Sequence, residues 1–255
     1  MPATIPTSNT GTTVAPVMQV VVVDLETGGL DATVHGVTEI AAVSCTINAN
    51  YTVTENATFQ RLIKPVDGLR YDPEALRIQG RTLEYLTENG VSETEAWRDF
   101  RLFFDVGKKG QVAVGKVYAH NAVFDHAFLA NMQERQDREC GLFSRRCDFG
   151  CTKTLFHICQ SLGIYRGDLS SSLRNLCSRF AVPLNPYAPH DALSDARATA
   201  SVLARLLRNM ESHFVSISRH QTKALREERV KVVTDAVSIS TSVPFSVSFD
   251  TSDWK

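Results

Sequence analysis

The stretch Met18-Gln19-Val20-Val21-Val22-Val23-Asp24-Leu25-Glu26-Thr27-Gly28-Gly29 constrains this chain more than any other. Its valine run is β-branched and almost wholly apolar, which predicts a strand buried on both faces. Side chains two apart on a strand point the same way, so Asp24 and Glu26 share one face at its end, just before a glycine turn. Two neighbouring carboxylates in a buried place repel each other and cost several kcal/mol unless a cation lies between them. A hard divalent ion with oxygen ligands resolves the conflict, Mg²⁺ being the usual one beside phosphate. A strand that surfaces and leaves both acids in water is the other reading. The rest of the chain has to choose.

Around that strand the pattern is strands first, helices after. Residues 38–47 read as a second strand and Ala57–Lys64 as a third, on connections short enough for antiparallel neighbours. Pro73 to Gly80 reads as a short helix ended by its glycine. Ser92 to Val106 is a helix, with Ser92 and Glu95 in capping-box spacing and Trp97, Phe100, Leu102, Phe103 and Phe104 as its apolar face. A fourth strand near Val117–Ala119 leads into a helix from Asn121, and a fifth lies between Cys147 and Cys151. Helices follow at Lys153–Leu162, Ser171–Phe180 and Ala192–His213. The fold class is α/β, a mixed five-stranded sheet flanked by helices.

Residues 1–17 are uncharged and rich in Thr, Pro, Ser and Ala, and read as a flexible arm before a domain of residues 18–213. Residues 214–255 read as a charged helical segment and a disordered tail with aromatics at Phe245, Phe249 and Trp254. A net charge of −1 gives no global attraction to a polyanion, so any such binding must come from a local basic patch or from metal ions. The apolar run near the start lacks a cationic leader, and no stretch approaches a membrane span, so a cytoplasmic protein with reduced thiols is expected. Cys147, Cys151, His157 and Cys159 cluster in sequence, but at a spacing that matches no common zinc site.

Two further constellations carry chemistry. In Ala119-His120-Asn121-Ala122-Val123-Phe124-Asp125 a strand ends, Asn121 begins a helix, and Asp125 sits one turn in. An acid there favours the helix dipole, yet a strand end abutting a helix start is also where ligands gather in sheet proteins. In His190-Asp191-Ala192-Leu193-Ser194-Asp195, Asp191 reads as the N-cap of the long helix. His190 lies in the loop before it, and Asp195 is an acid on an otherwise apolar face of Ala192, Ala196, Thr199, Val202, Leu203 and Leu206.

Taken together, Asp24-x-Glu26, Asn121-x-x-Phe124-Asp125 and His190-x-Ala192-x-x-Asp195 resemble the three motifs of the DEDDh (DnaQ-like) 3′→5′ exonucleases, in order and approximate separation. The similarity spans about residues 19–208 and is greatest to the ribonuclease T branch, which residues 119–128 and Pro73-Glu74-Ala75-Leu76 also resemble. The resemblance implies a ribonuclease H-like fold, with Asp24, Glu26, Asp125 and Asp195 holding two Mg²⁺ or Mn²⁺ ions. One ion would activate a water and the other stabilise the leaving 3′ oxygen. His190 would be the general base, histidine being the side chain that ordinarily titrates near neutrality.

The same resemblance implies that the substrate is a single-stranded 3′ end of RNA or DNA, released as nucleoside 5′-monophosphates. Thr27, Gly28 and Gly29 would let backbone approach the terminal sugar, Glu74 would contact the terminal base, and Asn121 would position helix or substrate. Phe124 matches a base-gripping phenylalanine of that branch. Leu30 and Ile78 stand where it carries two more, so its end-base preference does not carry over. A homodimer is implied as well, with Lys108, Lys109, Lys116, Arg145, Arg146, Arg166 and Arg174 as basic candidates. Two other readings stay open. One is a proofreading subunit docked on a DNA polymerase or sliding clamp through the C-terminal tail, for which Gln221–Leu225 is a faint clamp-peptide candidate; the other is a relative that only binds nucleic acid.

Overall fold

The computed structural model describes residues 18–105, 116–138, 149–167, 169–184 and 190–240. Five strands form one sheet in the order β3-β2-β1-β4-β5. The valine run is its middle strand, β1 (Met18–Thr27), and Val20 to Val23 are all buried. β2 (Val37–Ile47) and β3 (Val53–Leu62) add to it as antiparallel hairpin neighbours, while β4 (Lys116–Ala119) and β5 (Phe149–Cys151) continue it in parallel on the other side.

β3 starts four residues earlier than the sequence pattern suggests, at the turn that pairs Ile47 with Val53. It is an edge strand whose first half is polar and exposed, so burial left no alternation there to read. Helix α1 (Pro73–Ile78) is followed by α2 (Leu83–Asn89), which the sequence reading did not contain. Leu86 alone is buried in α2, and one apolar contact makes no periodicity. Thr82 marks its start, its hydroxyl accepting from the Tyr85 N–H at 3.1 Å.

The alternation of β1 divides the core. Val21, Val23 and Leu25 face α3 (Glu93–Asp105) and α4 (Ala122–Gln136), packing with Trp97, Phe100, Phe104, Phe128, Leu129 and Met132. Val20 and Val22 face α7 (Ala192–Ser240), against Ala196, Ala200, Leu203 and Ala204. Alanines at that spacing let the α7 backbone approach the sheet closely. Asp24 and Glu26 continue the row of Val20 and Val22, so they emerge on the α7 side.

α5 (Thr152–Ser161) and α6 (Leu173–Phe180) follow β5, joined through Tyr165, whose ring stacks on Phe156 of α5 at 5.2 Å and packs on Phe180 of α6 at 5.8 Å. Of the cysteine and histidine cluster, Cys151 caps α5, Cys159 is buried, His157 bonds Gln160, and Cys147 lies outside the described residues. By contacts the chain divides into units of residues 1–208 and 209–255, and α7 is continuous from Ala192 to Ser240. Gln221–Leu225 is therefore helix. The N-terminal arm, the tail from residue 241, and Lys108, Lys109, Arg145 and Arg146 lie outside the described residues, whereas Lys116, Arg166 and Arg174 are exposed. No helix among the described residues is long and apolar enough to cross a membrane.

Candidate active site

The site begins with a mismatch of strand lengths. β1 pairs with β4 only as far as Val22 with Tyr118, whereas its pairing with β2 runs on to Thr27. Beyond Val22 one edge of β1 is open, and α4 turns back at that point with Asn121 as its N-cap. The opening is a cavity of about 480 Å³ lined by Asp24, Glu26, Asp125, His190 and Asp195 together. Four segments supply these five side chains: β1, the first turn of α4, the stretch just before α7, and α7 itself.

Asp24 feels the charge of each of the other three acids. The ligand atoms of Glu26, His190 and Asp195 lie within 4.8 Å of one another. Asp24 has Asp125 as its strongest charged neighbour, followed by Glu26 and Asp195. Burial, then those neighbouring charges, push the Asp24 carboxyl well above its usual range. Burial first, then Asp195 and Glu39, push Glu26 up to about 8. Burial pushes Asp125 up to about 7, against the backbone N–H groups of its own residue and Leu25. Asp195 is also raised by burial, with His190 pulling the other way. Four acids each held above their ordinary range describe a place short of positive charge. Hard oxygen donors around one cavity fit divalent cations, and any of the four could contribute a ligand.

A stability prediction follows from these directions. Glu26 in the metal-free fold keeps its proton up to about pH 8, whereas the unfolded chain releases it near 4.5. Between those values the folded state binds more protons, so stability falls as pH rises; below 4.5 the penalty is absent and above 8 it is complete. Asp125 adds the same trend between 3.8 and about 7. The melting temperature of the chelator-treated protein is therefore expected to drop from pH 4.5 to 8, and Mg²⁺ at pH 8 to restore it. A flat profile in circular dichroism melts would contradict the electrostatic account.

Two histidines line the cavity, and only one is free to work. His120 is fixed at both ring nitrogens: Nε2 lies 2.9 Å from the Ser171 carbonyl oxygen and Nδ1 2.9 Å from the Thr152 hydroxyl. A carbonyl only accepts, so Nε2 carries the hydrogen and Nδ1 accepts from Thr152. Burial pushes the His120 pKa down, which keeps the ring neutral. His190 is exposed, and its φ of 61° is a left-handed backbone conformation for a non-glycine residue. Asp191 accepts from the Ser194 N–H at 2.9 Å and so caps α7.

The rim residues come from the end of β1 and the loop after it, from α1, and from the start of α4. Thr27, Leu30, Glu74, Ile78, Asn121 and Phe124 line the cavity. Leu30 is 87 % exposed and Ile78 42 %, so both present bare aliphatic surface, and Phe124 packs on Phe128 behind them. The Asn121 side chain makes no capping bond and faces the opening. Glu74 is paired with Arg77 at 2.6 Å on the exposed rim. Gly29 lines the cavity, whereas Gly28 serves packing: a Cβ there would meet Tyr71 and the Arg70 carbonyl. Gln79, absent from the sequence reading, donates to the Thr27 carbonyl at 2.7 Å and accepts from Thr38, bracing the bulge after Glu26. The sequence reading also gave no role to His120 or Glu39. Glu39, a lone acid in an apolar strand, was the signal available for the latter.

A fold of this topology with an acid cluster at the open end of its central strand defines a class, and the comparisons name it. The exonuclease family model (RNase_T) matches residues 21–203, and the chain belongs to this family, that of 3′→5′ exonuclease hydrolases on a ribonuclease H-like sheet. Among curated proteins it is similar to ribonuclease T of Shewanella baltica, 29 % identical over 196 residues that cover 75 % of this chain and 82 % of that one. Ribonuclease T of Yersinia enterocolitica is 29 % identical over 191 residues, 73 % of this chain and 83 % of that one. Among solved structures the fold is similar to E. coli exonuclease I in complex with a dT13 oligonucleotide, with a TM-score of 0.62 and 20 % identity. That match covers 80 % of this chain but only 44 % of exonuclease I. Cell-death related nuclease 4 matches with a TM-score of 0.57 and 14 % identity, over 74 % of this chain and 64 % of that one.

Proposed function

We propose that the protein is a free-standing, metal-dependent 3′→5′ exonuclease that shortens single-stranded 3′ ends of RNA or DNA to nucleoside 5′-monophosphates. The convergence of Asp24, Glu26, Asp125, Asp195 and His190 on one cavity carries this reading. Asp24 is buried among the charges of Asp125, Glu26 and Asp195, and these four carboxylates would hold two divalent cations, Mg²⁺ or Mn²⁺. When bound, such a pair supplies activation of a water, charge balance for the phosphate and stabilisation of the leaving 3′ oxygen. The chain's own residues do the rest. His190 takes the proton of the attacking water, since the other cavity histidine has both nitrogens engaged. Thr27 and Gly29 admit the terminal sugar, and Leu30, Ile78 and Phe124 wedge the terminal bases.

We assign residues 18–213 to the exonuclease domain and expect a cytoplasmic enzyme. The proofreading alternative, and a homodimer, rest on the tail and on basic residues that lie largely outside the described residues. Co-purification with a polymerase or clamp would separate the first from a free-standing enzyme.

The reading is tested on 5′-labelled single strands of RNA and DNA, matched in sequence, with Mg²⁺ or with EDTA. A metal-dependent ladder shortening from the 3′ end is expected, and its intensity on the two strands identifies the preferred sugar. Intact strands in every lane would overturn the reading. The wedge makes a second prediction. Stacking on an aromatic ring is worth about 1–3 kcal/mol per base. Leu30→Phe with Ile78→Phe is therefore expected to lower KM about tenfold with kcat within about threefold, measured on a short oligonucleotide. An unchanged KM would remove the two residues from base contact.

A further inference from the structure

A fifth carboxylate stands behind the cavity rather than in it. Glu39 lies on β2, in register with Glu26 on β1, and is 1 % exposed. Both of its oxygens are engaged. Oε1 accepts from Gln60 Nε2 at 2.7 Å, and Oε2 accepts from Arg81 Nη2 at 2.7 Å and from the Ala192 backbone N–H at 3.3 Å. Gln60 Nε2 also donates to Asp191 at 2.9 Å. One buried carboxylate thus joins β2, β3, the segment after α1, and the first residue of α7.

We propose that Glu39 is a positioning residue of the exonuclease: held by Arg81 and Gln60, it anchors the start of α7 and thereby sets where His190 and Asp195 stand relative to Glu26. The inference rests on the functional reading above and on the covalent proximity of the anchored groups. His190 is two residues before the Ala192 N–H that Glu39 holds, and Asp195 is one turn beyond it. Asp195 also donates its own N–H to the Asp191 carbonyl at 3.0 Å, so displacement of residues 191–192 moves it. Further along α7, Arg197 pairs with Glu55 of β3 at 2.8 Å, which holds the helix to the sheet without fixing its first residues. Arg81 is the partner that makes a buried charge tolerable at Glu39, and its guanidinium is itself largely buried. Three donors fill three of the roughly four acceptor positions of this carboxylate, and Glu39 does not line the cavity, so it is a brace and not a further ligand. It holds by its charge and reach what a hydrophobic residue of equal volume would leave loose.

Removing one partner alone would leave a buried charge, so the test replaces both. Glu39→Leu with Arg81→Leu keeps the volume apolar and is expected to melt within a few degrees of wild type. If Glu39 positions the site, kcat falls about 10- to 100-fold, KM changes less than about twofold because the base wedge is untouched, and Mn²⁺ binds about tenfold more weakly by calorimetry. A folded double variant with wild-type kcat, or with wild-type Mn²⁺ affinity, overturns the proposal. Glu39→Met with Arg81→Met, which likewise leaves no lone buried charge, carries the same expectations should the leucine pair not fold. Wild-type protein that cleaves nothing refutes the exonuclease reading instead, and the Mn²⁺ titration then still decides whether Glu39 organises the acid cluster.

Discussion

Asp24→Asn is expected to reduce turnover by about three to five orders of magnitude and, at the same time, to make the metal-free protein more stable. The two effects have one cause. Asp24 sits where the charges of Asp125, Glu26 and Asp195 add, and burial is the largest influence lifting its carboxyl. A cluster that needs cations to be comfortable is the cluster that binds them, so the group most destabilising in their absence is the one most needed in their presence. The sign is specific. An acid whose folded pKa is raised is harmless below its unfolded value near 3.8 and increasingly costly as pH climbs through the folded value. The advantage of the asparagine variant should accordingly be near zero at pH 4 and largest at pH 8 or above, as a gain of several degrees in melting temperature. Mg²⁺ should raise the melting temperature of wild type and leave the variant nearly unmoved. Loss of stability in the variant at pH 8 would mean that Asp24 is held by contacts rather than strained by repulsion.

His190→Ala should separate chemistry from metal binding. The expected loss in kcat is about two to four orders of magnitude, the range for removing a positioned general base. Metal-dependent stabilisation should survive, because the carboxylates remain. The case for His190 is one of elimination as much as proximity. Its ring lies within 4.8 Å of the Glu26 and Asp195 ligand atoms, and the cavity's other histidine is locked neutral between Thr152 and Ser171. His120→Ala, by contrast, removes a brace between the start of α5 and the segment before α6. Single-turnover measurements on the two variants distinguish the roles: a lost proton acceptor changes the pH profile of cleavage, whereas a lost brace lowers stability. Wild-type kcat in the His190 variant would remove that residue from the mechanism.

The parts of this protein that could be read from one dimension are those whose physics is local. Four valines in a row demand burial whatever surrounds them, and acids two apart on a strand share a face by covalent geometry alone, so Asp24 and Glu26 were legible from their spacing. The amphipathic faces of α3 and α7 were legible because periodic apolar residues repeat along one chain segment. The edge strand β3 was misjudged in its first half and α2 was missed, because each buries too little to leave a pattern. That Asp125 and Asp195 join the first two acids came from motif order and resemblance, not from any local rule.

The tertiary structure decided what depends on distances between remote segments. It alone brought β2 against β1 so that Glu39 stands behind Glu26, and it sent the Glu39 oxygens to Arg81, Gln60 and the start of α7. It alone told the two histidines apart, since the partners of His120 lie 32 and 51 residues away in sequence. Likewise it showed that β4 stops pairing at Val22, which opens the edge of β1 into a cavity. Residue types and spacings specify which groups can do the chemistry. Which of them are free to do it depends on hydrogen bonds that close only when the chain folds.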